Sequence, residues 1–548
     1  MDPNNFLQEN HPIYKSIVDR QELLKLSPSK LYPWWWKACK VKMLLLTDGL
    51  NFGLGDFGLS TFVHTLVNDG RSYVKFEITI ASISSFVGDP GISVQNSIPN
   101  FSFTNTSHFT KTKYDQIWLF GVNGRSLTLA EKKKVSEFMN AGGGVFATGD
   151  HGSLGNSLCG DLPRVRKMRR WNNSSGEVGM DDIRRNDTNH SGHDIGTQFD
   201  DQSDDIPQTI QPKLYSSYLG GFWKETYPHP ILCSPNGILN VLPDHPHEGE
   251  CIQPSNLSGN YSDGTPEFPG STAPEIIAYS TVPAGNTAST KQATQTHSFG
   301  AICAYDGHKE NIGRVTTDAT WHHFVNVNLI GELNEVSRDF GQPEHNSKNR
   351  DLNLPFSHGF FHSIAGQQHF NKIKDYYINT AVWLSRESQI KCFNRRILWK
   401  LFHNHRIIEA TLDNPFADKR KITPKSIFSI GTHALDVLGR RVGQCRKLRI
   451  VLPILLDIHP KIAELIDPWN IDIENKSSVP WVNLNSLIAF GLGGALVEMR
   501  DKFSGNKQKI NMRNLDKKMD ETVINGYKKG IKLGLKSLQG DIKLMKLK

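Results

Sequence analysis

Four apolar stretches near the start of the chain have the length and spacing of buried strands. Residues 41–47 are largely apolar and end at a turn, residues 76–81 alternate, and residues 114–121 form a third stretch. Residues 145–148 form the fourth, directly after three glycines. Continuous apolar runs of this length are typical of strands that are covered on both faces of a parallel sheet.

A helix is predicted between the last two of these strands. Thr128 followed by Glu131 is a capping box, in which each side chain bonds the backbone of the other residue. The apolar stripe of this helix consists of Leu129, Val135, Phe138 and Met139. Strands that alternate with helices pair in parallel through right-handed crossovers, so the pattern predicts an α/β fold with an open, mostly parallel sheet.

The sheet pattern is then interrupted. In residues 153–296 turn residues dominate, which predicts a large loop-rich insertion that builds the mouth of a site. Late strands are predicted at residues 300–305 and 312–318, and a helix over residues 369–384 closes the domain. We therefore assign residues 41–385 to one α/β domain.

Two further regions flank this domain. Residues 1–40 are predicted to form a peripheral arm, and residues 390–548 a basic helical region. In residues 523–548 apolar residues are interleaved with lysines, which suits a membrane surface, a nucleic acid or a helical bundle with solvated lysines. The formal net charge of +8 is concentrated in residues 164–170 and in the tail after Lys502, which favours an anionic partner.

The composition narrows the class of protein. With 548 residues, 38% of them hydrophobic, the chain buries a real core and is not globally disordered. Its seven cysteines are odd in number and lack a CxxC pair, so neither a disulfide scaffold nor a zinc ribbon is indicated and a reducing compartment fits best. The N-terminus has no signal-peptide core, and the longest apolar run, residues 487–497, is shorter than the ~20 residues of a membrane span. We predict a cytoplasmic protein without a transmembrane segment.

Two glycine-rich turns follow predicted strands. In residues 51–58 the glycines match the G-x-G-x-x-G spacing of dinucleotide-binding loops, but no acidic residue ends the second strand at the expected distance, so a tight active-site loop is favoured. In residues 141–152 the turn presents Asp150 and His151 beyond the end of a strand, where open α/β sheets bind ligands. The alternative is a plain turn whose aspartate caps the next segment.

Acidic and imidazole side chains cluster at the predicted strand ends and in the insertion. Imidazole and carboxylate together suit zinc, manganese or iron. His245 and His247, with Glu248 or Glu250, form a local metal candidate, because side chains two residues apart on an extended segment lie on one side. A polar loop network of histidines and carboxylates is the alternative. If the cluster is a site, we expect a divalent metal, zinc or manganese.

The residue types favour acid/base or metal-assisted chemistry. No Gly-x-Ser-x-Gly elbow occurs and no cysteine stands at positions 150 or 151, so a covalent thiol mechanism is unsupported. We predict that Asp150 or His151 polarises water and that His322 or His323 moves a proton. The remaining predicted site residues are Asp318 as a further catalytic group, and Asp48, Asn51, Asn123 and Trp321 as substrate contacts.

Five motifs stand at the predicted strand ends and turns: LLLTDG at residues 44–49, YDQIWLFG at 114–121, AGGG at 141–144, TGDHG at 148–152, and GRV at 313–315 leading to Trp321-His322-His323. Together they resemble the class I glutamine amidotransferase-like superfamily, and within it the trehalose-utilisation (ThuA-like) branch. The resemblance covers residues 41–385 apart from the insertion. It implies a flavodoxin-like sheet with the functional turn after a central strand.

The resemblance also bears on the reaction. In amidotransferases the turn carries a cysteine that works with a histidine after a late strand. Asp150 and His151 occupy the turn here, so the resemblance does not imply cysteine-dependent glutamine hydrolysis, whereas His322 or His323 stands where the late histidine is expected. The branch with non-cysteine turns is associated with carbohydrate-related roles.

Three hypotheses follow. The first is a hydrolase-like enzyme that acts at the Asp150 turn on a small polar substrate, for which the resemblance suggests carbohydrate-related chemistry. The second is a non-catalytic ligand-sensing domain whose basic helical region, residues 390–548, is the effector or partner-binding part. The third is nucleic-acid binding through residues 164–170 and the lysine-rich tail, which predicts steeply salt-dependent binding.

Overall fold

The structure is a computed structural model. It describes residues 38–69, 71, 73–171, 186, 208–219, 223–243, 249–285, 292–331, 359–362, 364–402, 423–442, 484–503 and 515–545. By its internal contacts the chain divides into an α/β unit, Cys39–Tyr215 with Thr226–Cys392, and a second unit that contains the C-terminal helices. The predicted arm at residues 1–40 lies outside the described residues except for its last three.

The strands of the described residues form one large sheet and three short pairs. In chain order they are β1 (Cys39–Thr47), β2 (Val74–Ser82), β3 (Asn96–Ile98), β4 (Gln116–Gly121), β5 (Gly144–Gly149), β6 (Arg169–Arg170), β7 (Gln208–Thr209), β8 (Gln211–Pro212), β9 (Leu214–Leu219), β10 (Trp223–Pro228), β11 (Cys233–Ser234), β12 (Gly237–Ile238), β13 (Val241–Leu242), β14 (Glu250–Cys251), β15 (Glu275–Val282), β16 (His297–Tyr305) and β17 (Val315–Asp318). The large sheet has the order β3-β2-β1-β4-β5-β17-β16-β14-β6, and β15 pairs with β16 and β8. The short pairs are β9 with β10, β11 with β12, and β7 with β13.

The strands β3, β2, β1, β4, β5 and β17 run parallel to one another. Every residue of β4, β5 and β17 is buried, as expected for strands that are covered on both faces. The four early strands and the two late strands predicted from the apolar runs are confirmed. The α/β unit is thus a mixed α/β fold with a mostly parallel central sheet.

Residues of the predicted insertion extend this sheet. β15 pairs antiparallel with β16, and the short β14 and β6 continue the sheet beyond β16. The register of β15 shifts between Ile276 and Tyr279, which breaks the two-residue alternation by which a strand is recognised in a sequence. This irregularity explains why the sequence pattern indicated only loops at β15.

The helices of the described residues are bounded as follows: α1 (Ser60–Asn68), α2 (Leu129–Asn140), α3 (Asn326–Ile330), α4 (Ile364–Trp383), α5 (Glu387–Phe402), α6 (Pro424–Val442), α7 (Leu484–Phe503) and α8 (Leu515–Met545). The predicted capping box of α2 is present, and Val135, Phe138 and Met139 are buried. Leu129 is 71% exposed, so its assignment to the apolar stripe is wrong. The closing helix, α4, is confirmed and begins five residues earlier than predicted.

Glu131 joins the start of α2 to a neighbouring loop. Its carboxylate accepts hydrogen bonds from the Thr128 backbone and from Ser102, both at 3.0 Å, and forms two bonds of 2.8 Å with Arg125. Burial raises the pKa of Glu131, but the bonds from Arg125, Thr128 and Ser102 outweigh it and lower the pKa from 4.5 to about 2. The ionised form of this carboxylate therefore stabilises the fold.

We expect the free energy of unfolding to decrease as the pH falls from about 4.5 to about 2, because the unfolded chain then binds a proton that folded Glu131 does not. The stabilisation by ionised Glu131 is complete above the pKa that this residue has in the unfolded chain. It is lost as the pH falls through the pKa of Glu131 in the folded protein. Urea unfolding across this range should show a shallower pH dependence for Glu131→Gln and lower stability at pH 7. Glu137→Gln, on the same helix but 39% exposed, is the control, and an unchanged acid profile in Glu131→Gln contradicts the prediction.

A disulfide bond corrects the expectation drawn from the cysteines. Cys39 at the start of β1 is bonded to Cys392 in α5, with Cα atoms 6.2 Å apart, and Cys233 is also disulfide-bonded. Cys159, Cys251 and Cys303 are free and buried. Disulfides persist mainly in oxidising compartments, so the cysteines no longer support a reducing compartment.

Two helices of the second unit pack closely through glycines. A Cβ on Gly494 of α7 would lie 2.3 Å from the Gly526 carbonyl oxygen and 2.7 Å from Gly530 Cα, both on α8. On α8, Val523 and Tyr527 are buried. Part of the apolar face of this helix is therefore buried within its unit, as the helical-bundle interpretation predicts, whereas Leu535 is 40% exposed. Among the described helices, none is long and apolar enough to span a bilayer.

Candidate functional site

Two neighbouring strands carry polar turns to the same edge of the sheet. β5 and β17 pair in parallel, with Thr317 opposite Ala147, so the residues that follow each strand emerge side by side. After β5 the backbone reverses at His151 (φ 49°) and Gly152 (φ 48°). A left-handed conformation is costly for a residue with a side chain, and such residues are found preferentially at functional sites.

A short 3₁₀ turn, Trp321–His323, follows β17. It begins at Thr320, whose hydroxyl oxygen accepts a hydrogen bond from the His322 N–H at 3.0 Å. Successive side chains of a 3₁₀ turn lie about 120° apart, so adjacent residues point in different directions. The turn therefore separates His322 from His323, although the two are neighbours in sequence.

His322 is the imidazole that reaches the Asp150 turn. Its Nε2 lies 3.2 Å from His151 Nε2, and its Nδ1 lies 2.9 Å from Asn328 Oδ1. An amide oxygen only accepts hydrogen bonds, so Nδ1 carries a hydrogen, and in the neutral ring the lone pair of Nε2 is then directed towards His151. His322 is fully buried, and its ring stacks on Trp321 with centroids 4.2 Å apart.

Asp150 completes the cluster at the end of β5. Its N–H donates to the Gly121 carbonyl (3.2 Å), its Oδ1 accepts from the His151 N–H (2.7 Å), and its carbonyl oxygen accepts from Trp321 Nε1 (3.2 Å). The residue is wholly buried. The bond from Trp321 ties the turn of Asp150 directly to the turn that carries His322.

Asp150, His151 and His322 have the spacing of metal ligands. One ligand atom from each lies within 4.8 Å of the other two. In a tetrahedral zinc site with Zn–N distances of ~2.05 Å, two imidazole nitrogens lie ~3.3 Å apart, and the two Nε2 atoms here are 3.2 Å apart. Two histidines and a carboxylate suit zinc, manganese or ferrous iron. The predicted convergence of the two turns is confirmed for these three residues.

The side chains around the cluster form a mouth that reaches solvent. His151 is half-buried, and Phe57 is 39% exposed with its ring edge towards Trp321 at 6.1 Å between centroids. Asn123 is exposed and packs against Gly152, where an added Cβ would lie 2.6 Å from Asn123 Cβ. Of the predicted substrate contacts, Trp321 and Asn123 therefore border the cluster.

Asp48 and Asn51 hold the surrounding loops. Asp48 Oδ1 accepts from the Val122 N–H (2.6 Å), and its Oδ2 accepts from the Gly124 N–H (2.9 Å). Burial raises the pKa of Asp48, although these backbone bonds oppose the rise. Asn51 Oδ1 accepts from the Gly53 N–H at 2.7 Å. Both residues, predicted as substrate contacts, use these side-chain oxygens to shape backbone turns.

Asn326 fixes the glycine-rich loop at residues 51–58. Its Nδ2 donates to the carbonyl oxygens of Gly53 (3.2 Å) and Gly55 (2.7 Å), and its Oδ1 accepts from the Thr61 N–H (2.9 Å). Thr61 is in the first turn of α1, where a dinucleotide-binding loop offers its N–H groups to phosphate. Because Asn326 occupies this donor, the geometry favours the tight-loop interpretation over a phosphate cradle.

Asp318 and His323 lie in a separate buried network. His323 Nδ1 is 2.6 Å from Asp318 Oδ1, and His323 Nε2 is 3.1 Å from Gln208 Oε1. Tyr376 of α4 donates to Asp318 Oδ2 at 2.6 Å. All four side chains are buried. Asp318 and His323, both predicted to be catalytic, are thus not among the three clustered ligands, and they instead join β17, the insertion and α4.

No family model matches this chain, and no curated protein matches it. Function is therefore inferred from the geometry of the chain itself.

Two arginines of the basic cluster at residues 164–170 are buried, and a third is paired with a buried carboxylate. Arg164 and Arg169 are each 1% exposed, and Arg166 makes two hydrogen bonds, of 3.0 and 2.9 Å, to the carboxylate of Glu267. A nucleic acid requires cations that reach its phosphates from the surface. The burial of these arginines argues against the predicted nucleic-acid contact at this cluster.

The remaining sequence predictions concern residues that are not described. The metal candidates His245, His247 and Glu248 lie outside the described residues. Conversely, one residue of the site, Asn328, was not predicted from the sequence. Its position six residues after His322 carries no motif, so only the folded chain shows that it orients the histidine.

Proposed function

We propose that the protein is a hydrolase-like enzyme whose divalent metal, zinc or manganese, is held by Asp150, His151 and His322. The observation that carries this proposal is the 3.2 Å approach of the two Nε2 atoms while Nδ1 of His322 is bonded to Asn328. A histidine that donates its Nδ1 hydrogen to an oxygen is oriented to bind a metal through Nε2. Asp150 adds the carboxylate that such a site uses.

The chemistry follows from this ligand set. A divalent metal held by these three residues would supply a Lewis acid, which would lower the pKa of a water molecule from about 15.7 to near 7. His151 is the half-buried ligand, so substrate approaches from its side, past Phe57 and Asn123. Asp150 and His322 are fully buried, and they hold the centre from the protein interior.

The finer assignments of fold and substrate are also proposals. The mostly parallel sheet and a polar turn at the carboxyl end of β5 support a flavodoxin-like, ThuA-like domain. That relationship suggests a small polar, carbohydrate-related substrate. Because Asp150 and His151 stand at the turn in place of a cysteine, we propose that the enzyme is not a cysteine-dependent glutaminase.

Metal analysis of the full-length protein tests the proposal. We expect one equivalent of zinc or manganese per chain, removed by a chelator and restored by added metal. Hydrolysis of a panel of small ester, amide and glycoside substrates should disappear and return with the metal. Stoichiometric metal without hydrolysis would favour the ligand-sensing alternative. A protein that takes up neither metal after reconstitution contradicts the proposed centre.

A further inference from the structure

The guanidinium of Arg169 is bonded entirely to main-chain carbonyls. Nε and Nη2 donate to the Ala319 oxygen at 3.1 and 2.7 Å, and Nη1 donates to the oxygens of Leu154 and Arg170, both at 2.9 Å. Nη2 also donates to the Gly149 oxygen. Arginine has five N–H groups in a rigid planar guanidinium. The number of hydrogen bonds from Arg169 to carbonyl oxygens is therefore equal to its number of donors.

Three of the four accepting carbonyls, those of Gly149, Leu154 and Ala319, belong to the two turns of the candidate centre. Gly149 is the last residue of β5 and directly precedes Asp150, and Leu154 lies three residues beyond His151. Ala319 precedes the Thr320 turn and stands three residues before His322. Arg169 itself belongs to β6 in the insertion. One side chain from outside both turns thus bridges them.

The surroundings of Arg169 exclude water from this bridge. The side chain is 1% exposed, and the ring of Trp171 lies 4.5 Å from the guanidinium carbon. A Cβ on Gly249 would lie 1.8 Å from the Ala319 oxygen and 2.8 Å from Nη2 of Arg169. The nearby Arg166 differs, because its side chain is 30% exposed and its guanidinium pairs with the carboxylate of Glu267 instead of with backbone carbonyls.

We propose that Arg169 is a positioning residue that sets the separation between Asp150 and His151 on one turn and His322 on the other. This inference rests on the proposed function, because its consequence for metal binding requires the metal centre. The geometry depends on the planar guanidinium. A lysine keeps the positive charge but offers three donors on one nitrogen atom, so it cannot span the same carbonyls.

The test compares Arg169→Met and Arg169→Lys with Arg164→Met in the full-length protein. Arg164 is equally buried and donates from Nη2 to Asn140 Oδ1 at 2.7 Å, away from both turns. Zinc affinity is measured by competition with a chromogenic chelator, and site symmetry by the visible spectrum of the Co²⁺-substituted protein. We expect both Arg169 variants to bind zinc about 10–100-fold more weakly than the wild type and to show an altered Co²⁺ spectrum. Arg164→Met should leave both unchanged.

Amide hydrogen exchange supplies a readout that does not require metal. Exchange should accelerate in the peptides that contain residues 149–155 and 319–322 when Arg169 is replaced, and not when Arg164 is replaced. Equal acceleration in both variants, or wild-type zinc affinity in Arg169→Lys, would overturn the inference. If the wild type binds no metal, the proposed function fails, while the exchange measurement still decides whether Arg169 joins the turns.

Discussion

His322→Ala is expected to abolish stoichiometric metal binding and the associated hydrolysis. The substitution removes one of three ligand side chains, the one whose Nε2 lies 3.2 Å from His151 Nε2. Loss of a hydrogen-bond partner behind a metal-binding histidine costs about 10–100-fold in affinity, so loss of the ligand itself should cost more than 100-fold. Elemental analysis and zinc titration of the purified variant provide the measurement.

Two further variants serve as comparisons for His322→Ala. Asn328→Ala leaves the imidazole in place but removes its oxygen partner at 2.9 Å, so we expect an intermediate loss of about 10–100-fold. His433→Ala removes an exposed histidine of α6 and should bind metal like the wild type. If His322→Ala retains one equivalent of tightly bound metal, the cluster of Asp150, His151 and His322 is not the metal centre.

Asp318→Ala should be among the most destabilising single changes in the α/β unit. Asp318 accepts from His323 Nδ1 and from the Tyr376 hydroxyl, both at 2.6 Å. Its removal leaves these two buried groups without that acceptor, and each such group costs about 1–3 kcal/mol. We therefore expect the free energy of unfolding to fall by about 2–6 kcal/mol in a urea titration.

Asp161→Ala is the matched comparison for this change. Its side chain is 52% exposed and pairs with Lys132 and Arg166 at the surface, where such pairs contribute at most about 1 kcal/mol. Asp318→Asn keeps the shape and one oxygen acceptor, so its loss should fall between the two alanine variants. An Asp318→Ala protein as stable as Asp161→Ala would mean that the buried network does not support the fold.

The central strands could be predicted because strands that are buried on both faces appear in the sequence as continuous apolar runs. The same principle placed Asp150 and His322 at one edge, since parallel neighbours end side by side. The pattern failed at β15, where a register shift between Ile276 and Tyr279 disrupts alternation. It failed also for Leu129, which has the right spacing but lies at the exposed start of its helix.

Features that depend on distant contacts could not be predicted. Sequence spacing does not tell which of two adjacent histidines faces the site, because a 3₁₀ turn at residues 321–323 decides it. A cluster of arginines has the same composition whether it is exposed or, like Arg164 and Arg169, buried. The pairing of Cys39 with Cys392 spans 353 residues, so only the folded chain brings the two thiols together.

The separation of the ligands along the chain also links metal uptake to assembly of the fold. His151 and His322 are 171 residues apart, and they meet only after β17 has docked beside β5. An incompletely assembled chain therefore offers no complete set of these side chains, so a metal bound at the proposed centre would select the native state over the denatured ensemble. At a free concentration a hundred times the dissociation constant, this selection is worth about 2.7 kcal/mol.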